Sequence, residues 1–315
     1  MSEFKSRLIS ALEKLIEGTG STIETYQITK PNNITRTAVC IHHPDTKLGI
    51  NYYLDDLERQ YESGHSIEEI SADIVCHSKN DTTYKNSSIL TSIIKNISSY
   101  ETVKPYIIVR LLNLKENNKY LSDKIYYPYV KNEKSYELAI CPCIRIPAND
   151  DSIGTIAVTK QLRSQWNVSD DELLHNAIEC TKNTYGYRFQ NIFDVISNLI
   201  SIKDSFSEYM NPPEPSMYVF SNNMSCNGAA TMLFTDELKN FSEHLGYNLY
   251  IIPSSIHETI IIPDDGTINP SSIQEMIRTV NENEVDPSDI LSNQLFYYSR
   301  AENTITIVQN TLKGL

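Results

Sequence analysis

Residues 217–263 read Met217-Tyr218-Val219-Phe220-Ser221-Asn222, a polar turn, then Asn227-Gly228-Ala229-Ala230-Thr231-Met232-Leu233-Phe234. TDELKNFSEHLG comes next over 235–246, and YNLYIIPSSIHETIIIP over 247–263. Short apolar runs rich in Val, Ile, Tyr and Phe, bounded by Asn, Gly and Pro, read as strands. The middle stretch has acids at its start and glycine behind it, which reads as a helix. The predicted order is strand, strand, helix, strand, strand. That pattern sets the expected fold class, α+β, with mixed and largely antiparallel sheets and helices packed on them.

Upstream, Phe4, Leu8, Leu12, Leu15 and Ile16 recur at helical spacing and stop at Gly18. TIETYQI, RTAVCIHH and KLGINYYL predict a small antiparallel sheet, with Pro31-Asn32-Asn33 and Pro44-Asp45 as turns. Asp55–Glu62 reads as helix, and residues 89–98 as another. PYIIVRLL, YELAICPCIRI and GTIAVTK read as strands, and Tyr120–Lys134 as a long Tyr-rich connection. Residues 189–204 have helical spacing. Three capping boxes, at Ser66–Glu69, Ser169–Glu172 and Ser271–Gln274, mark helix starts. Trp166 is expected to anchor a short helix to the core. QLFYYS and TITIVQ predict a closing hairpin. The Pro-rich run 211–216 is the expected linker, between an N-terminal α+β domain at 1–210 and a C-terminal α/β unit at 217–315 packed closely on it.

Composition excludes several stories. The 315 residues carry a net charge of −13, and 40% are hydrophobic, which is ordinary globular chemistry. Residues 201–315 hold 5 Lys+Arg against 15 Asp+Glu, while residues 1–200 hold 22 against 25. A nucleic-acid surface needs the opposite sign, so no nucleic-acid partner is expected. No apolar run approaches the roughly 18 residues of a membrane span. MSEFKSRLIS lacks the apolar core of a signal peptide, so a cytosolic location is expected. The six cysteines are then expected as free thiols.

Met217-Tyr218-Val219, Asn227-Gly228-Ala229-Ala230 and, above all, Ile252-Pro253-Ser254-Ser255-Ile256-His257-Glu258 carry a resemblance. So do Asn51-Tyr52-Tyr53-Leu54, Gly154-Thr155-Ile156-Ala157 before Trp166, and Val280-Asn281 with Leu291-Ser292. In these the chain resembles a bacterial family of gut Firmicutes known as domain of unknown function 5688. The likeness runs in matching order over nearly the whole chain. It departs at Asn51, where the family pattern has Pro, and at Glu179-Cys180-Thr181-Lys182, where it has Glu-Asn-Thr-Pro. The resemblance implies no reaction, cofactor or catalytic residue.

Ser254, Ser255, His257 and Glu258 form the one segment that invites a chemical reading. As a hydrolase site it would use a serine nucleophile, His257 as base and Glu258 as its orienter. A regular strand argues against that. Alternation sends Ser254 and Glu258 to one face, and Ser255 and His257 to the other, about 6–7 Å apart. The expected role of Pro253-Ser254-Ser255 is therefore a turn, with His257 and Glu258 bonded to nearby backbone. A zincin reading fails because the position for a second histidine is Ile261. Cys141 and Cys143, with Cys40 folded beside them, form the metal alternative, but buried thiols acting as small apolar groups suit that pattern. Phosphate-binding glycine loops are absent from the sequence.

These readings predict a non-catalytic cytosolic accessory protein without a cofactor. Its acidic C-terminal third would dock a protein partner, and Ser254, Ser255, His257 and Glu258 are its candidate binding residues. The alternative is a hydrolase using Ser255, His257 and Glu258.

Overall fold

The computed structural model describes residues 2–44, 49–80, 88–132, 134–146, 154–199 and 216–309. Two compact units, Met1–Ile94 and Lys95–Leu315 less the stretch 147–152, account for the chain. Residues 211–215 of the expected linker lie outside the described residues.

In the first unit, helix α1 (Ser2–Ile16) buries Phe4, Leu8, Leu12 and Ile16, one per turn. Gly18, at φ 73°, comes after its end in a conformation that costs glycine little. Strands β1 (Thr22–Thr29) and β2 (Thr35–His42) pair antiparallel from Thr22↔His42 to Thr29↔Thr35, and β3 (Asn51–Tyr53) lies on the other side of β2. Helices α2 (Leu54–Glu62) and α3 (Ile67–Asn80) complete the unit. The capping box before α3 is complete. The Ser66 amide donates to the Glu69 carboxylate at 2.8 Å, and the Glu69 amide donates to Ser66 Oγ at 3.2 Å. Leu8, Leu12, Val39, Ile41, Leu54, Ile70 and Ile74 form one core across both layers. Helix α4 (Ser88–Lys95) is next in the chain.

The second unit begins with the short helix α5 (Tyr100–Val103) and holds two sheets. The first joins β4 (Ile107–Asn113), β5 (Tyr127–Lys131), β6 (Tyr136–Ile146) and β7 (Gly154–Ala157), with β6 between β4 and β5. The Tyr-rich stretch expected as a connection therefore contains a strand, β5, whose Val130 is buried. The short helix α6 (Lys160–Arg163) leads to Trp166, which is buried and donates from its indole nitrogen to Ile97 O at 3.0 Å, as expected of an anchor. Helix α7 (Asp170–Tyr185) starts on Ser169, whose hydroxyl accepts the Glu172 amide. It packs along β4: Thr181 Oγ1 accepts the Val109 amide at 2.8 Å and donates to Ala177 O.

The other sheet has six strands, in the order β13-β12-β10-β11-β9-β8. These are β8 (Arg188–Asn191), β9 (Tyr218–Ser221), β10 (Leu249–Ile252), β11 (Thr259–Pro263), β12 (Phe296–Ser299) and β13 (Thr304–Ile307). Helices α8 (Ile192–Leu199), α9 (Thr235–Leu245) and α10 (Pro270–Asn283) complete the unit. The closing hairpin expected at QLFYYS and TITIVQ is β12–β13. The α+β class holds. The sheets were expected to be largely antiparallel, and every strand pair among the described residues is so.

Three local readings are corrected. Asn227–Phe234 was expected as a strand, but Gly228–Leu233 is a 3-10 helix with all six residues buried. The place beside β9 that such a strand would fill belongs to β8. Residues 189–204 were expected as one helix, but they open with that strand, and α8 starts at Ile192. At α10, Asn269 rather than Ser271 is the cap, because Pro270 suits the first helical position. Gln274 is released from capping and turns inward, donating to Asn293 O and accepting the Leu295 amide.

Candidate functional site

The site grows from the link between β10 and β11. Pro253 ends β10, and residues 253–258 run as a bent segment rather than a strand. This corrects the alternation on which the sequence reading rested. The bent segment finds backbone partners on both sides. The Ile256 amide donates to Asp289 O at 2.8 Å, and Ser254 O and Pro253 O accept the amides of Leu291 and Ser292. From the other side, Ser221 Oγ donates to His257 O at 2.8 Å, and the Ala229 amide donates to Ile256 O at 3.1 Å. Two remote stretches, 221–229 and 289–292, are thereby brought to His257.

The close approach at 221–229 depends on Gly228. A Cβ there would lie 2.1 Å from Ser221 Oγ and 2.3 Å from His257 O. Just before it, Cys226 sits between two left-handed residues, Ser225 at φ 50° and Asn227 at φ 51°. Asn tolerates that conformation and Ser does so less readily, so the turn needs holding. Buried Asn222 holds it: its Nδ2 donates to Cys226 O at 2.9 Å, and its Oδ1 accepts the Met224 amide at 3.0 Å. Arg188 adds a donation to Ser225 Oγ at 2.5 Å.

The His257 ring collects the result. The Asn227 amide donates to Nδ1 at 3.3 Å, and Nε2 lies 3.5 Å from Asp289 Oδ2. These partners assign the tautomer with the proton on Nε2 and the basic lone pair on Nδ1. Asp289 is itself oriented. Its amide donates to Asp286 O at 2.8 Å, and Ser288 Oγ, whose shorter bond is to Asp286 Oδ1 at 2.6 Å, lies 3.2 Å from its Oδ1, while Oδ2 faces the imidazole. Cys226, whose Sγ accepts from Asn227 Nδ2 at 3.4 Å, is near enough to the ring to act on its charge. The polar influence of Cys226, with the Asp289 charge, holds the imidazole above its ordinary pKa despite burial. The His257 and Asp289 side chains are each 35% exposed, so the cluster is open to solvent. A thiol and a carboxylate near one imidazole are the parts of a nucleophile, its base and the base's orienter.

The residues expected from the sequence divide around this cluster. His257 is its centre. Ser255 is adjacent, but its hydroxyl accepts the His257 backbone amide at 3.0 Å, while the ring turns to Cys226 and Asp289. Ser254 is half-buried and Glu258 is exposed. Cys226 and Asp289 were missed. One sits in a polar turn and the other in a capped Asp-Pro turn, and no local pattern joins them. In the metal alternative, Cys40 belongs to the first unit, and Cys141 and Cys143 to the second. Burial pushes the Cys141 thiol up to about 12 and raises Cys143 too, as fits apolar packing. Among the described residues, no group of three His, Cys, Asp or Glu is placed to hold a metal ion.

Among those residues no helix is long and apolar enough to cross a membrane. No curated protein and no solved structure matches the chain. One family model does, over residues 1–300. The chain belongs to that family, DUF5688, a family of unknown function.

Proposed function

We propose that the protein works through a nucleophilic thiol, with Cys226 attacking, His257 taking its proton and Asp289 orienting the imidazole. One observation carries the reading: two remote loops bring a thiol and a carboxylate to the surroundings of one imidazole, with the ring partly exposed. In the reaction, Nδ1 exchanges the Asn227 amide it accepts in this structure for the thiol proton, the thiolate attacks an electrophilic carbon, and the imidazolium returns the proton to the leaving group. Asp289 steadies the cation formed in between.

Alkylation tests this within one molecule, because the exposed Cys76 serves as an internal reference. Iodoacetamide at neutral pH is expected to modify Cys226 at least about tenfold faster than Cys76. His257→Gln is expected to slow Cys226 about 100-fold while leaving Cys76 unchanged. Equal rates at the two cysteines in the native protein would remove the basis of the reading.

A second reading rests on charge. Residues 201–315 carry 5 basic against 15 acidic side chains, which supports a cytosolic accessory protein of a bacterium whose acidic C-terminal third docks a basic protein partner. Such capture should weaken steeply as salt rises through roughly 0.5 M, since screening shortens the reach of surface charges. A native-host extract that yields nothing at low salt, while control baits succeed, would count against it.

A further inference from the structure

Beside Cys226 lies a cavity of about 10 Å³, lined by Val109, Thr181, Tyr185, Asn222, Cys226 and Asn227, with Ile108 at its wall. Space of that order holds a single oxygen-sized group. We propose that this cavity receives the carbonyl oxygen of an acyl substrate, an ester or an amide, and that the Tyr185 hydroxyl is its hydrogen-bond donor. The proposal rests on Cys226 being the nucleophile and adds the substrate class and a further residue.

All but one of the polar side chains in the lining are already engaged. Thr181 donates to Ala177 O and accepts the Val109 amide. Asn222 is occupied by Cys226 O and by the Met224 amide. Asn227 gives its amide to His257 Nδ1 and its side-chain nitrogen to Cys226 Sγ at 3.4 Å. Tyr185 differs. It is 9% exposed, and its buried Oη has no hydrogen-bond partner among the described residues. A buried tyrosine hydroxyl ordinarily finds one. Its position is fixed against the cysteine loop, because Tyr185 O accepts the Asn223 amide at 3.1 Å. Its ring packs with Ile108 and Cys143. Burial pushes the hydroxyl up to about 12, so it keeps its proton at neutral pH and can donate.

The electrons balance without a further reactant. As the Cys226 sulfur bonds to the carbonyl carbon, the C=O π pair moves to oxygen, which takes the Tyr185 hydrogen bond in the cavity. The pair then reforms C=O and the leaving group departs, protonated by the His257 imidazolium. The thioester is left for water to hydrolyse. Only the oxygen fits the cavity, so the rest of the substrate lies outside it.

Two rates at Cys226 test the proposal. Alkylation by iodoacetamide occurs at a saturated carbon and develops no carbonyl oxyanion. Acylation by p-nitrophenyl acetate develops one. Tyr185→Phe keeps the ring and removes only an unpartnered atom. It is expected to slow acylation by about 10²–10³-fold while alkylation stays within about twofold. Unchanged acylation, or an equal fall in both rates, would overturn the proposal. A native Cys226 that alkylates no faster than Cys76 would instead sink the nucleophile reading beneath it. Should the variant not fold, infrared spectroscopy of the native acyl-enzyme decides. A thioester carbonyl band shifted below its value in water is the expected result, and a band at the position of an unbonded carbonyl refutes the donor.

Discussion

Gly228→Ala destabilises the second unit by about 3 kcal/mol and separates Cys226 from His257. The added Cβ would lie 2.1 Å from Ser221 Oγ, 2.3 Å from His257 O and 2.9 Å from the Asn222 amide nitrogen. The hydroxyl alone could swing aside, but it would give up its 2.8 Å bond to His257 O. The carbonyl and the amide are backbone and have no such freedom. Relief therefore requires moving residues 228–233, all of them buried. Overpacking of that kind typically costs about 1–3 kcal/mol, and a broken buried hydrogen bond adds about 1–3. Urea unfolding should show a lowered midpoint with an unchanged slope. Cys226 alkylation in the folded fraction should fall toward the rate of Cys76. A midpoint within about 0.5 kcal/mol of the native protein would show that the loop has room for a methyl group.

Gly228 also marks where the sequence stopped being legible. Asn227-Gly228 was readable as a tight turn, and a turn is there. Residues 229–234, Ala-Ala-Thr-Met-Leu-Phe, are a short apolar run, and such runs do not tell a buried strand from a buried helical turn. The choice was made elsewhere in the chain, by β8 occupying the edge of β9. That strand was hidden in turn, because Phe189, Ile192, Phe193 and Ile196 give a helical spacing that overlaps its four residues. Long periodic elements fared better. Phe4, Leu8 and Leu12 repeat over a 15-residue helix, and Ser66 with Glu69 forms the box its spacing promised.

Legibility of the candidate site obeyed the same physics. His257 stood out because it lies in a dense local signature. The alternation used to judge its neighbours assumed an extended chain, and Pro253 ended the strand before it reached the histidine. Once the segment bends, its partners are chosen by tertiary hydrogen bonds to 221–229 and 289–292, which carry no periodic signal in sequence. Cys226 and Asp289 belong to those stretches. The carboxylate adjacent in sequence, Glu258, is exposed, while the one that faces the imidazole lies 32 residues away at Asp289.

Phe220→Ala carries the largest cost expected in the six-stranded sheet, about 4 kcal/mol. Phe220 is fully buried on β9, and its ring stacks on Phe189 of β8 with centroids 4.0 Å apart. Phe189 stacks in turn on Phe241 of α9 at 3.9 Å, and Tyr187 meets Phe220 edge-on at 6.4 Å. Truncating a buried Phe to Ala costs about 3–5 kcal/mol, and the lost ring pair lies within that range. For a unit of this size, each kcal/mol lowers Tm by roughly 2–4 °C, so a fall of about 8–16 °C is expected in a thermal melt. Phe220→Leu keeps most of the volume and should lose only about 1–1.5 kcal/mol. The stack also joins chain on both sides of the proline run, since Phe189 precedes it and Phe220 comes after. Amide exchange should therefore accelerate together in Arg188–Asn191 and Tyr218–Ser221 in the Ala variant. If β8 kept its native protection while β9 lost its own, backbone pairing rather than the rings would be what holds the edge strand in place.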